Sequence, residues 1–390
     1  MPQLQKLPTK EDDKKGQRFS VKKKVATAAI CILFALVILC TSLFAALYFN
    51  VEQALDTGHA GSLESGLYTP KEYEGDVVNI LFVGIYRKPT DTYPEGLGLT
   101  DVILYLHFDL KNNRLSGIQI PRDTYVDEIP NSDAKINSLL VTGPDTENYI
   151  NNLATAISDQ YALPIDHYIA INMESLLEIV DIFNGLRVYV PKEMNYKGNL
   201  LQEGWQWLDS NAVNFFVRNR YGKGFERSDI DRLENQRHFY SALFRRFMNL
   251  TPIDCVKLLP IIKEHCLTDF ETTDLFDLAF SALKLTPENI MFCLAPGATK
   301  TAEWDTDPLH LDRYFYIIDL YGPQDGSQPG MAEILNTYFR TYGDEVEIDD
   351  LKAPKIKIPS SVPLYPPNIQ TMGQLYTDEG GSEIDVEPNA

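Results

Sequence analysis

From Val25 to Phe49 the chain carries no charged residue and consists largely of Ala, Leu, Ile, Val and Phe. Few folds can hold such a run. As a helix rising about 1.5 Å per residue, it is long enough to cross a hydrocarbon core of about 30 Å with some tilt. A cleaved signal peptide has a shorter apolar stretch, about 7–15 residues, followed by a small-residue cleavage site. Here the run is longer and closes on Leu47-Tyr48-Phe49 with no such site. The reading is a retained, single transmembrane helix. Lys6, Lys10, Lys14, Lys15, Arg18 and Lys22-Lys23-Lys24 precede it, whereas Glu52 and Asp56 follow. The positive-inside rule therefore predicts a cytoplasmic N-terminus, a single pass through the cell membrane and an extracellular remainder.

That placement sharpens the reading of charge. The chain carries a formal −20 at pH 7, and its N-terminal tail is basic, so the exported part is more acidic still. Such a surface excludes nucleic acid as a partner, because phosphate neutralisation needs basic patches. An anionic ligand would need a local cluster of Arg and Lys working against the general field. Of five cysteines, Cys31 and Cys40 lie in the apolar run, and Cys255, Cys266 and Cys293 show no metal-like spacing. No disulfide framework is expected.

The periodicity divides the chain into a basic tail (1–24), the membrane helix (25–49), a glycine-bearing stalk (50–75), a folded domain (76–345) and a Pro-rich, acidic C-terminal tail (346–390). Within the domain, Asn79–Ile85, Val102–Leu110 and Arg114–Ile120 read as strands. A helix over Asn148–Tyr161, a strand over His167–Asn172, a helix over Glu174–Phe183 and a strand over Leu186–Val190 follow. Helical spacing then dominates about 209–220, 228–248, 253–265 and 272–284, before a strand at Ile290–Leu294 and a helix at Met331–Tyr342. Strands alternating with helices predict one sheet covered on both faces. Thr377–Ala390 is too polar and acidic to bury a core and is expected to be disordered.

No G-x-S-x-G elbow, H-E-x-x-H zinc helix or G-x-x-x-x-G-K-[ST] phosphate loop occurs, and the six histidines are scattered, which disfavours a histidine-based hydrolase. The informative residues are Arg, Lys and Asp. Ile118-Gln119-Ile120-Pro121 ends a strand just before Arg122-Asp123, where ligands of open α/β sheets bind. Asp101 follows the segment Gly96-Leu97-Gly98, and Lys135-Ile136-Asn137 lies in a loop. Singly, these also read as a local ion pair and a solvated charge. The helix from Ser228 adds weight. At about 100° per residue, Arg232 and Gln236 fall within about 60° of Asp229, on the stripe shared with Leu233, Tyr240 and Phe244. The opposite face, with Asp231, Glu234, His238, Ser241 and Arg245, suits solvent. Buried charges must pair or face a polar cavity. Upstream, Arg218-Asn219-Arg220 puts two guanidiniums on one side of an extended segment, planar forks suited to phosphate oxygens. Arg218, Arg220 and Arg232 read as an anion site, with a purely structural network as the alternative.

With these residues in view, the chain from about Val77 to Tyr342 resembles the LytR-CpsA-Psr (LCP) family of bacterial cell-envelope proteins. The resemblance is carried by Asn79–Gly84, Leu99-Thr100-Asp101, Ile120-Pro121-Arg122-Asp123-Thr124, Lys135-Ile136-Asn137, Arg218-Asn219-Arg220 and Asp229–Gln236. It implies an α/β fold, a three-layer α/β/α domain with a central mixed sheet. It also implies a phosphotransferase that moves a polyprenyl-pyrophosphate-linked glycopolymer, teichoic acid or capsular polysaccharide, onto peptidoglycan. By position, Arg122, Lys135, Arg218, Arg220, Arg232 and Gln236 would bind the pyrophosphate, Asp101 would help hold Mg²⁺, Asp229 would orient the arginines and Asp123 would support Arg122. Phosphoryl transfer suits such a site, since its catalysis is mainly positioning and charge stabilisation. The tether would keep the membrane lipid tail nearby, in an apolar channel between sheet and helices.

The pattern also departs from that family. Gly84-Ile85-Tyr86 places a phenol where a second Mg²⁺ carboxylate is usual, Leu99 stands where a basic residue is usual, and Asn235 replaces an Arg. Two further readings follow: a degenerate protein that binds lipid-linked polymer or a cell-wall partner without turnover, and a sensory membrane protein acting through its short basic tail.

Overall fold

A computed structural model describes residues 61–377, with breaks at 89, 95, 128, 130–133, 304–311 and 344, together with Ala46, Tyr48 and Phe49. The chain falls into two units, Met1–Gln53 and Ala54–Ala390. Of the first, only those three residues are described, all helical, so most of the expected membrane helix lies outside the described residues. Among the described residues no helix is long and apolar enough to cross a membrane.

The second unit opens with three long strands, β1 (Val77–Tyr86), β2 (Leu99–Asp109) and β3 (Arg114–Gln119). Helix α1 (Tyr149–Tyr161), strand β4 (His167–Asn172) and helix α2 (Met173–Ile182) follow. Next come β5 (Leu186–Val190), β6 (Met194–Tyr196), β7 (Asn199–Leu201) and β8 (Gly204–Leu208), then helices α3 (Ser210–Arg218), α4 (Asp229–Met248) and α5 (Pro252–His265). The chain continues through β9 (Cys266–Thr268), α6 (Thr272–Ala282), β10 (Ile290–Leu294), β11 (Gly297–Glu303), β12 (Asp312–Ile318), α7 (Met331–Tyr338), β13 (Gln370–Thr371) and α8 (Met372–Thr377).

Seven strands form the central sheet in the order β13-β10-β3-β2-β1-β4-β9. It is mixed: β1 runs parallel to β4 and β3 parallel to β10, while β2 is antiparallel to both β1 and β3. Its strands are buried on both faces, as their near-continuous runs of Ile, Leu, Val and Phe require. One face packs a cluster that includes Ile150, Leu153 and Ile157 of α1 and Leu335 of α7. The other packs a cluster with Leu176 and Val180 of α2, Phe216 of α3 and Phe239 of α4. The expected mixed sheet between flanking helices is therefore present.

Three expectations need correction. Strand β5 does not join the central sheet; it pairs antiparallel with β8 as a separate ribbon packed on α4. That ribbon covers the helix face assigned to solvent, so Asp231, His238 and Ser241 are buried. Asp231 is paired there: the Lys192 ammonium lies 3.0 Å away, and the Arg227 side chain and backbone N–H both donate to it. Finally, much of the segment read as a Pro-rich tail belongs to the fold. Strand β13 extends the sheet beside β10, and Val346, Leu351, Met372 and Leu375 are buried. Residues 378–390 lie outside the described residues.

Candidate anion-binding site

The carboxyl ends of β1 and β3 and the start of β2 meet at one end of the sheet. There the β1–β2 ladder slips: Gly84 pairs with Val102 and Ile85 with Thr100, leaving Asp101 as an extra residue with no partner. Such a bulge bends its strand and re-aims a side chain. Asp101 consequently turns to Arg122, whose guanidinium donates a short hydrogen bond to its carboxylate. Gly98 packs so closely on the carbonyl of Tyr86 that a Cβ there would collide with it, which holds the start of β2 against the end of β1.

Pro121 ends β3, and its carbonyl accepts from the Thr124 N–H and hydroxyl, turning the chain so that Arg122 and Asp123 point into the site. Thr124 and Val126 then exchange backbone bonds with Ile136 and Ala134, which carries Lys135 back to Asp123 at 2.8 Å. Strand β12 flanks this turn, the Tyr316 N–H donating to the Asp123 carbonyl.

Helix α4 supplies the other wall. Ser228, immediately before it, has φ +52°, a strained conformation for a non-glycine residue that sets the entry angle of the chain. The Asp229 carboxylate lies 3.0 Å from Arg232 and 3.3 Å from Arg220, so one anion orients two guanidiniums. Arg232 is among the most buried side chains, at 1 % exposure. Gln236, equally buried, donates to the Val217 carbonyl and accepts from the Gln119 side chain at 2.8 Å. Gln119 was not singled out in the sequence; its signal was an amide between Ile118 and Ile120 at the end of β3.

Arg218 and Arg220 do not share an extended segment. Arg218 is the last residue of α3, Asn219 after it is extended, and the two arginines meet different partners, the Tyr86 ring and the Asp229 carboxylate. Arg218 stacks over the Tyr86 ring with its guanidinium carbon 4.6 Å from the centroid, and reaches Asn214 at 3.4 Å. Asn235 turns to the Phe216 carbonyl, to which its amide donates.

The electrostatics are those of a site with cations to spare. Burial alone would raise the Asp101 carboxyl, but Arg122, Arg232 and Arg220 outweigh it and hold it below the ordinary carboxylate value. Burial likewise opposes the Arg122 charge, yet Asp101, Asp123 and Asp229 leave it more firmly protonated than usual. Arg220 goes the other way: burial, then the Arg232 and Arg122 charges, lower its pKa despite Asp229. Among the described residues, the buried Nε–H groups of Arg122 and Arg232 have no hydrogen-bond acceptor. Donors and charge at this spot call for an anion.

Mg²⁺ fits less well. Asp101, Asp123 and Asp229 are each already held by Arg or Lys, and position 86 carries a phenol. Among the described residues no three Asp, Glu, His or Cys side chains gather as a metal site. Among the described residues, the carboxylates at this spot are thus paired with cations and offer Mg²⁺ no uncommitted ligand.

A mixed sheet between helical layers, with guanidiniums gathered at its strand ends, defines an α/β protein whose site has the charge to hold an anion. The model of the LytR_cpsA_psr family matches residues 50–314, and the chain belongs to that family. It is 25 % identical over 237 residues to the polyisoprenyl-teichoic acid–peptidoglycan teichoic acid transferase TagU of Bacillus mycoides, covering 59 % of this chain and 74 % of that one. The TagU of Oceanobacillus iheyensis is 27 % identical over 254 residues, covering 62 % and 75 %. Among solved structures, protein gbs0355 of Streptococcus agalactiae shares the fold at TM-score 0.54 and 15 % identity, over 74 % of this chain and 94 % of that one.

Proposed function

We propose that this protein is a phosphotransferase that moves a polyprenyl-pyrophosphate-linked glycopolymer, a teichoic acid or capsular polysaccharide, onto peptidoglycan at the outer face of the cell membrane. The observation that carries the reading is the gathering of Arg122, Arg220 and Arg232 around Asp101 and Asp229, with buried guanidinium N–H groups that find no acceptor among the described residues. The names of the TagU relatives support it, since they describe transfer of a lipid-linked polymer to peptidoglycan. The apolar run Val25–Phe49 would anchor the domain beside its lipid substrate.

In this reading the guanidiniums grip the diphosphate and stabilise the charge that builds on it as the reaction proceeds. An acceptor hydroxyl oxygen bonds to the phosphorus bearing the polymer, the bridging P–O bond breaks, and polyprenyl phosphate leaves with the electron pair and takes up the hydroxyl proton. Asp101 is a poor proton acceptor, because the arginines keep it ionised at low pH. Its part is to orient Arg122, as Asp229 orients Arg220 and Arg232 and Asp123 orients Lys135.

The test is transfer of radiolabelled lipid-linked polymer to peptidoglycan by the purified full-length chain. Arg122→Ala and Arg220→Ala should abolish it; parental rates in both variants would overturn the reading. Tyr86 under Arg218 favours a second reading, a binding protein without turnover. Binding of the lipid-linked polymer with no release of polyprenyl phosphate would select it.

A further inference from the structure

The site guanidiniums are not equivalent. Arg122, Arg220 and Arg232 each meet a carboxylate, and the Lys135 ammonium meets Asp123. Arg218 does not: among the described residues its partners are the Asn214 amide oxygen and the face of the Tyr86 ring. An aromatic face attracts and orients a guanidinium without cancelling its charge. A carboxylate at the same place would cancel it.

Position 86 is set by the backbone around it. Tyr86 pairs with Leu99 just past the bulge that expels Asp101 from the ladder, so residue 86 and Asp101 edge the same end of the sheet. Gln236 on α4 bonds the carbonyl of Val217, the residue before Arg218, which ties that helix end to the same site. Among the described residues, five basic side chains (Arg122, Lys135, Arg218, Arg220, Arg232) thus stand with three carboxylates paired to them (Asp101, Asp123, Asp229), two more positive charges than negative in a chain of net −20. A diphosphate esterified at both ends carries two negative charges, so it would neutralise this excess on its own. A divalent cation would instead be pushed away by the unneutralised guanidiniums, and the carboxylate nearest to hand, Asp101, is committed to Arg122.

We infer that this site grips the diphosphate through its own cations, without a protein-held Mg²⁺, and that the Tyr86 ring makes this possible by holding Arg218 in place while leaving its charge whole. The inference deepens the proposed function and rests on it. Tyr86 is then a positioning residue: it acts on the ligand through Arg218.

The experiment is calorimetric titration of the full-length chain in detergent with farnesyl diphosphate, in EDTA and in Mg²⁺, alongside Mg²⁺ alone. The parent should bind the probe in EDTA with a Kd within about threefold of that in Mg²⁺, and should show no saturable Mg²⁺ binding by itself. Tyr86→Phe, which keeps the ring, should match the parent. Tyr86→Asp should lose about tenfold or more in EDTA and recover when Mg²⁺ is supplied, because the new carboxylate both neutralises Arg218 and offers a metal ligand. A parent that binds the probe only with Mg²⁺ overturns this inference and leaves the proposed function standing. A parent that binds it in neither buffer overturns both, and Tyr86→Asp binding as the parent does in EDTA removes the role given to the ring.

Discussion

The Asp229 carboxylate and the Arg232 guanidinium, one turn apart on the same buried helix, lie 3.0 Å from each other, and Arg220 approaches the same carboxylate from outside the helix at 3.3 Å. One anion therefore fixes two cations at the mouth of the site. The pair is internal to α4, so it forms as the helix forms, before any ligand arrives.

Removing that anion strands a buried cation. Asp229→Asn keeps the shape but leaves Arg232, at 1 % exposure, without its counter-charge. The expected loss is about 3–5 kcal/mol in urea unfolding. A loss below about 1 kcal/mol would show that Arg232 is held by something else.

Arg220 should behave in the opposite way. Its pKa is lowered by burial and by Arg232 and Arg122, so folding disfavours its charge. Arg220→Met should melt at or above the parental temperature while binding farnesyl diphosphate at least about tenfold more weakly. A variant that is both less stable and equally tight contradicts the assignment.

Acid should weaken the fold in two windows. Burial lowers His107 to about 4 and His238 to about 3 from an ordinary 6.5. Between 6.5 and those values the unfolded chain takes up protons that the native state refuses, so stability falls as pH drops through this range. Asp101 acts lower: its folded pKa lies below 3.8, so its contribution is present above 3.8 and is lost as pH falls through the folded value. Denaturation midpoints from pH 8 to 3 read both. For His107→Gln, the drop between pH 6.5 and 4 should be shallower than in the parent.

The C-terminal strap is predicted to be structural. Leu375, 2 % exposed, belongs to the cluster that packs Phe239 and Tyr240 of α4. Leu375→Ala should cost about 2–5 kcal/mol by chemical denaturation, as for other core truncations. A neutral result would mean that residues past 370 are dispensable.

Strain before α4 offers a gain instead. Ser228 has φ +52°, where glycine is at ease. Ser228→Gly should raise stability by about 1 kcal/mol or leave it level, measured by thermal melting; a clear loss would assign the serine side chain a role of its own.

Much of this domain was legible along the chain. The strands His167–Asn172, Leu186–Val190 and Ile290–Leu294 stand where periodicity put them, because alternation and apolar runs report which faces are buried. The inward stripe of Asp229, Arg232 and Gln236 was legible for the same reason: a regular helix turns spacing into direction. What could not be read was which surfaces meet. The outer face of α4 looked suited to solvent, yet β5 and β8 cover it, and Asp231 survives there through Lys192 and Arg227 from other stretches of the chain. Strand β13 was hidden in a Pro-rich segment because a two-residue edge strand has no period to detect.

The sequence by itself determined the supply of charge and its local direction: an acidic chain, an uncharged run near its start, and guanidiniums concentrated in a few short motifs. Tertiary structure alone decided that those motifs converge, that a slipped ladder expels Asp101 towards Arg122, and that Arg218 lies on an aromatic ring and not against a carboxylate. The physical reason is that periodicity encodes only neighbours within an element. Coulombic partnership depends on distances through space, and those are set when separate elements pack.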